Sequence, residues 1–89
     1  MQVALYGVLR QKAGGKYVEV ATPHGSTIRD VLADLTRRHP DLREYLRPEG
    51  GANVIRVFVN SADVRYLEGI GTPVTPDDRI DIFTPVSGG

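Results

Sequence analysis

The sequence predicts an α+β domain in which a mixed sheet of four to five strands packs on one main helix. Two observations predict it. Ile28, Val31, Leu32 and Leu35 recur at i, i+3, i+4 and i+7, which makes one apolar stripe on a helix. Short alternating or β-branched runs stand on both sides of that helix, and a single amphipathic helix needs a sheet face to cover its stripe.

Each element has its own signal. Residues 2–9 alternate, with Val3 and Leu5 on one face and Ala4 and Tyr6 on the other. The cluster Lys12-Ala13-Gly14-Gly15-Lys16 is a turn, and residues 17–20 form a second strand, so the first two strands make a hairpin with a long loop. Thr27 is the expected N-cap of the helix, with Asp30 three residues on as the acidic half of a capping box. Arg37, Arg38 and His39 suit the negative end of the helix dipole, and Pro40 stops the helix. Leu42, Tyr45 and Leu46 suit a helical turn over one end of the core, followed by a loop through Gly50-Gly51. Residues 54–59 are the most β-branched run and the strongest strand. Residues 60–63 read as a turn, 64–66 as a short strand, and Thr75-Pro76-Asp77-Asp78 as a turn before the last strand at 80–83.

The 89 residues suit one small domain. The expected division is a domain over residues 1–84 and a mobile tail over 85–89. Acidic and basic residues balance at 11 each, so no global field draws the chain towards nucleic acid or a membrane surface. No apolar run is long enough to span a bilayer, and the expected location is the cytoplasm. The absence of cysteine removes disulfides, thiolate metal sites and thiol nucleophiles together. His24 and His39 match no metal-ligand spacing, so no metal site is expected. Ser26, Ser61 and Ser87 sit in no nucleophile motif, and Gly14-Gly15-Lys16 lacks the spacing of a phosphate-binding loop. No catalytic residue and no bound cofactor are expected.

The remaining candidate is the end of the chain. Pro85-Val86-Ser87-Gly88-Gly89 follows an apolar strand directly. Glycine has no Cβ, so such a segment can thread a narrow channel and leave its terminal carboxylate unshielded. Taken alone, a Gly-Gly end is also ordinary slack or the remnant of a junction.

The order of elements resembles the ubiquitin-like β-grasp fold, and more narrowly the MoaD and ThiS family of sulfur carriers. The residues that carry the likeness are Val57-Phe58-Val59-Asn60, Asp63-Val64-Arg65, Gly69 with Thr72-Pro73, Pro76-Asp77-Asp78-Arg79-Ile80, and Phe83-Thr84-Pro85-Val86-Ser87-Gly88-Gly89. Pro76-Asp77-Asp78 stands where the family often has Asp-Gly-Asp. Thr84 stands where molybdopterin-synthase members often carry proline.

The resemblance implies that Gly89 is the carrier site, adenylated by a ThiF- or MoeB-like enzyme that uses ATP and magnesium. A persulfide sulfurtransferase then supplies sulfur, and the terminal thiocarboxylate donates it to an acceptor enzyme or a larger synthase subunit. Molybdopterin synthesis is the favoured pathway, with cysteine, thiazole and tRNA thiolation as alternatives. Gly88, Ser87, Val86 and Pro85 are the expected tail-recognition residues. A ubiquitin-like modifier joined to lysines through Gly89, and a plain interaction domain, are the competing functions.

Strand alternation places Phe58 and Phe83 on the face away from the helix if Val57, Val59, Ile80 and Ile82 point inward. Together they would form a docking patch; the opposite register would put both in the core. Arg10, Arg65 and Arg79 are candidates to meet acidic groups of a partner.

Overall fold

The computed structural model describes residues 1–21, 25–46 and 55–84. Five strands, β1 (Gln2–Leu5), β2 (Tyr17–Glu19), β3 (Arg56–Val59), β4 (Ala62–Asp63) and β5 (Ile80–Phe83), form one sheet in the order β2-β1-β5-β3-β4. The central pair, β1 with β5, is parallel and the other pairs are antiparallel. This is the predicted mixed sheet at its upper strand count, packed on the predicted main helix. Val3 and Leu5 of β1, Val57 and Val59 of β3, and Ile80 and Ile82 of β5 share one buried cluster with Ile28, Val31, Leu32 and Leu35. Each such side chain adds about 1.5–3 kcal/mol when fully buried.

The main helix, α2, spans Ile28–Arg38. Thr27 caps it as expected: its backbone N–H donates to Asp30 Oδ2 at 2.8 Å and its hydroxyl at 3.2 Å. The N–H of Ile28 also donates to the carbonyl of Thr72, which fastens the helix start to the chain before β5. Beyond Arg38 the chain turns through a 3₁₀ segment at Pro40–Leu42, and Leu42 and Leu46 close one end of the core.

Two elements differ from the sequence expectation. The first strand ends at Leu5, and a short helix, α1 (Val8–Ala13), fills the expected hairpin loop. Gly7 causes the break, because its φ of +62° is one that a strand residue with a side chain rarely adopts. The helix carries Leu9 into the core and stops at Gly14, φ +82°. Its six residues are too few for a 3.6-residue period to show in the sequence. The expected strand at residues 64–66 is a 3₁₀ turn, and the strand lies just before it at Ala62–Asp63. The Asp63 carboxylate accepts the Arg65 backbone N–H at 2.9 Å, and that local bond draws the chain out of the ladder.

Internal partners hold three carboxylates below their ordinary pKa. Asp34, buried on α2, accepts from the Ala21 N–H at 2.8 Å, from Arg38 Nε at 2.6 Å and from Arg37. Burial alone would raise its pKa, but the Ala21 N–H and the two arginines bring it below the ordinary value of 3.8. The Arg65 side chain holds Asp63 low, and the Asn60 amide holds Asp78 low. A carboxyl with a depressed folded-state pKa stabilises the fold above its unfolded value and loses that contribution as pH falls. The urea midpoint is therefore expected to be flat above about pH 5 and to drop as pH falls through 4 towards 2. Asp34→Asn should flatten the lower part of that curve. A midpoint independent of pH between 5 and 2 would contradict this assignment.

Candidate functional site: the sheet face at the root of the tail

Alternation along β5 sends Ile80 and Ile82 to the core and Asp81 and Phe83 to the opposite face. Register then sets their neighbours: Arg56 pairs with Phe83, Phe58 with Asp81, and Ala4 with Asp81 from the other side. The inward positions of both strands are filled by Val57, Val59, Ile80 and Ile82, so Phe58 and Phe83 lie outside the helix-facing core. The opposite register left open by the sequence is not the one formed.

Tyr6, just past β1, stacks on Phe83 with ring centroids 4.3 Å apart and planes 9° from parallel. Phe58 meets the other side of Phe83 edge-on at 5.5 Å and 81°. The three rings make one continuous row across the sheet centre, and both geometries are favourable for aromatic pairs. The row ends at Lys16, whose Nζ lies 5.1 Å from the Tyr6 ring centroid and 5.5 Å from that of Tyr17.

Charge on this face is arranged around the rings. Asp81 is buried beneath them; it accepts from the Tyr6 hydroxyl at 2.8 Å and from Arg79 Nε at 3.2 Å. Arg65 grips Asp63 through Nη2 at 2.8 Å and Nε at 3.1 Å. Arg65 and Arg79 thus have internal partners, whereas Arg10 is exposed with no ion pair among the described residues. Asp63 and Asp81 neutralise Arg65 and Arg79, so Lys16 and Arg56, without an ion pair among the described residues, are the cations left beside the aromatic strip.

The chain leaves β5 at Thr84 beside Gly7, where a Cβ built on Gly7 would stand 3.5 Å from Thr84 Oγ1. The end of β1, the start of α1 and the root of the tail meet there. Pro85, Val86, Ser87, Gly88 and Gly89 lie outside the described residues, as does His24. Ser26 is buried, and Gly14-Gly15 forms the C-terminal cap of α1. Among the described residues no group of three His, Cys, Asp or Glu is placed to hold a metal ion, and no helix is long and apolar enough to cross a membrane.

Sequence reasoning found Phe58 and Phe83 and missed Tyr6, Lys16 and Tyr17. The alternation of Ala4 and Tyr6 was visible. What was not visible is the parallel pairing of β1 with β5, which brings Tyr6 onto Phe83.

The ThiS family model matches residues 3–89, so it takes in the described fold and continues through the last residue. The chain belongs to the ThiS family. The structure of small archaeal modifier protein 1 from Methanosarcina acetivorans is similar, with a TM-score of 0.82 and 31% identity over 99% of this chain and 94% of that one. A chain of the Amycolatopsis orientalis BexX/CysO complex has a TM-score of 0.79 and 31% identity, covering 99% of this chain and 98% of its own length. The sulfur carrier protein CysO of Mycobacterium tuberculosis is 26% identical over 91 residues, 98% of this chain and 96% of that protein. This ThiS-family chain therefore has the ubiquitin-like β-grasp fold and stands among proteins named as carriers and modifiers.

Proposed function

We propose that this ThiS-family chain is a sulfur carrier that works through the Gly89 carboxylate. The observation that carries the reading is the family match running through residue 89 in a chain with no cysteine. Sulfur on this protein needs a site other than a thiol, and a terminal carboxylate is such a site.

A free carboxylate is a poor electrophile. In this reading a ThiF- or MoeB-like partner, using ATP and magnesium, converts it to an acyl adenylate. A persulfide donor displaces AMP to form an acyl disulfide; a second thiol of the donor cleaves its S–S bond, ending as a disulfide and leaving a thiocarboxylate, whose sulfur passes to an acceptor enzyme. The partners supply the catalysis. This chain supplies a tethered reactant, and tethering raises the effective concentration of sulfur at the acceptor. Phe83 and Phe58, with Tyr6 just past β1, form the docking row, while Pro85, Val86, Ser87 and Gly88 guide the end into the partner's site. Lys16 and Arg56 beside the row favour acidic groups on the partner and speed encounter at low salt. The protein is read as a cytoplasmic non-enzyme. Its acceptor pathway is molybdopterin synthesis, with cysteine, thiazole or tRNA thiolation as the alternatives; assay of sulfur transfer to each acceptor enzyme in turn separates them.

The likeness to small archaeal modifier protein 1 favours a second use of the same activated end, amide linkage to protein lysines. Both uses share the adenylation step. ATP–pyrophosphate exchange by the activating enzyme should appear when this chain is added and vanish when one alanine is appended after Gly89. Exchange that persists with the blocked end would overturn the proposal.

A further inference from the structure

We infer that the outer edge of β2 is a self-association site, at which two copies of this chain pair antiparallel, strand to strand, about a two-fold axis at Val18. The inference does not rest on activation of Gly89. Two strands stand at the rims of the sheet, β2 and β4. β4 has two residues, and the Asp63–Arg65 turn draws the chain out of the ladder there, so β2 is the edge left to pair. An edge strand carries a row of unpaired N–H and C=O groups, which is a template for another strand.

Alternation decides which groups of β2 are free. The Leu5 N–H donates to the Lys16 carbonyl at 2.7 Å and the Val20 N–H to the Met1 carbonyl at 2.9 Å, so residues 16, 18 and 20 turn their backbone groups to β1. Residues 15, 17, 19 and 21 turn theirs away. The first and last of these N–H groups are engaged within the chain: Gly15 donates to the Arg10 carbonyl at 3.1 Å, and Ala21 to Asp34 Oδ2 at 2.8 Å. Tyr17 and Glu19 are left, and neither N–H has a partner among the described residues. The free edge is therefore centred on Val18 and closed on both sides.

That pattern is its own complement. With Val18 opposite the partner's Val18, the N–H and carbonyl of Tyr17 meet the carbonyl and N–H of the partner's Glu19, and symmetry repeats the exchange, so every free group of the edge is used. A slip of the register one way faces the two Glu19 carboxylates and sets Tyr17 against an Ala21 N–H that Asp34 already holds; a slip the other way sets Glu19 against the engaged N–H of Gly15. The side chains agree with the central register. Lys16 Nζ lies 5.5 Å from the Tyr17 ring centroid, and the partner's Glu19 stands directly opposite Tyr17, so a carboxylate comes beside a cation at each end of the contact. The Glu19 side chain is 65% exposed, and its one polar contact among the described residues is the N-terminal ammonium at 3.4 Å.

Pairing joins two five-stranded sheets into one, with the outer faces of both copies on the same side. The exposed Tyr17 rings of the two copies stand on the diagonal across the axis, within reach of each other. Each row of Tyr6, Phe83 and Phe58 stays open, because β1 separates it from the new seam. The contact is short and belongs with weak interfaces of less than about 1,200 Å², so the pair forms and parts with protein concentration.

The test uses the full chain with no activating enzyme, so its outcome is separate from that of the proposed function. Sedimentation equilibrium from about 10 µM to about 1 mM should show monomer passing to dimer. With about nine-tenths of the chain paired, the Tyr17 and Glu19 amides should exchange hydrogen about tenfold more slowly than in dilute solution. Glu19→Lys or Lys16→Glu alone sets like charges together and should weaken the dimer about tenfold or more, whereas the double variant restores opposite charges and should return to within about threefold of the native affinity. Neither side chain belongs to the buried cluster, and melts of dilute samples check that each variant is folded. A chain that stays monomeric throughout, a dimer whose Tyr17 and Glu19 amides keep the dilute exchange rate, or a double variant no better than the single ones would each overturn the inference. Protection of those two amides that appears only when an extended peptide or another purified protein is added would assign the edge to that partner and overturn self-pairing as well.

Discussion

Deletion of Gly88 and Gly89 is expected to abolish sulfur transfer while leaving the fold intact. Among the described residues the buried cluster runs from Val3 to Ile82. Glycines past the last strand have no side chain to bury, and residues at a chain end tolerate change well. The deletion should cost less than about 0.5 kcal/mol of stability, the range of surface substitutions. Function should fall by orders of magnitude, because the electrophilic carbon would be moved back by two residues onto Ser87. That residue carries a Cβ that a channel shaped for glycine excludes. Appending alanine after Gly89 should give the same loss with all native residues present, which separates tail length from tail identity. The paired readout is a thermal melt together with reconstituted sulfur transfer. A truncated chain that transfers sulfur at the full rate contradicts the account, as does one that unfolds.

Phe83→Ala is expected to weaken binding to the activating enzyme by about 30-fold or more, the loss typical of a central aromatic anchor at about 2 kcal/mol. Phe83 is the middle ring of the row, so its removal ends the stack with Tyr6 and the edge contact with Phe58 at once. The stability cost should stay near 1 kcal/mol per lost ring pair, because the core side of β5 is filled by Ile80 and Ile82. Titration calorimetry with the purified partner reads the affinity, and urea unfolding reads the stability. Phe58→Ala, at the end of the row, should lose less. Affinity unchanged in Phe83→Ala would place docking on another surface.

Much of this was legible in the sequence for identifiable reasons. The apolar stripe of α2 has four members and a cap pair, Thr27 with Asp30, so pattern and punctuation agreed. Val57 and Ile82 stand in clear strand runs, so β3 and β5 were legible; alternation left two registers for Phe58 and Phe83, and the structure forms the one that places both outside the helix-facing core. Two features stayed hidden. Val8-Leu9 continued the alternation of β1 in sequence, and only the backbone at Gly7 shows the chain turning into α1. The Tyr6–Phe83 stack joins residues 77 positions apart through a parallel pairing that no local pattern encodes. Local signals placed the elements; the docking row is a product of topology.

The most direct measurement concerns the end group itself. The chain is incubated with its activating enzyme, ATP, a persulfide donor and a thiol reductant, and then analysed by intact mass and by sequencing of the C-terminal peptide. The account predicts a species heavier by one sulfur-for-oxygen exchange, with the added mass confined to Gly89 and absent when ATP is withheld. Sulfur transfer proceeding to the acceptor while Gly89 retains an unmodified carboxylate at every time point would contradict it.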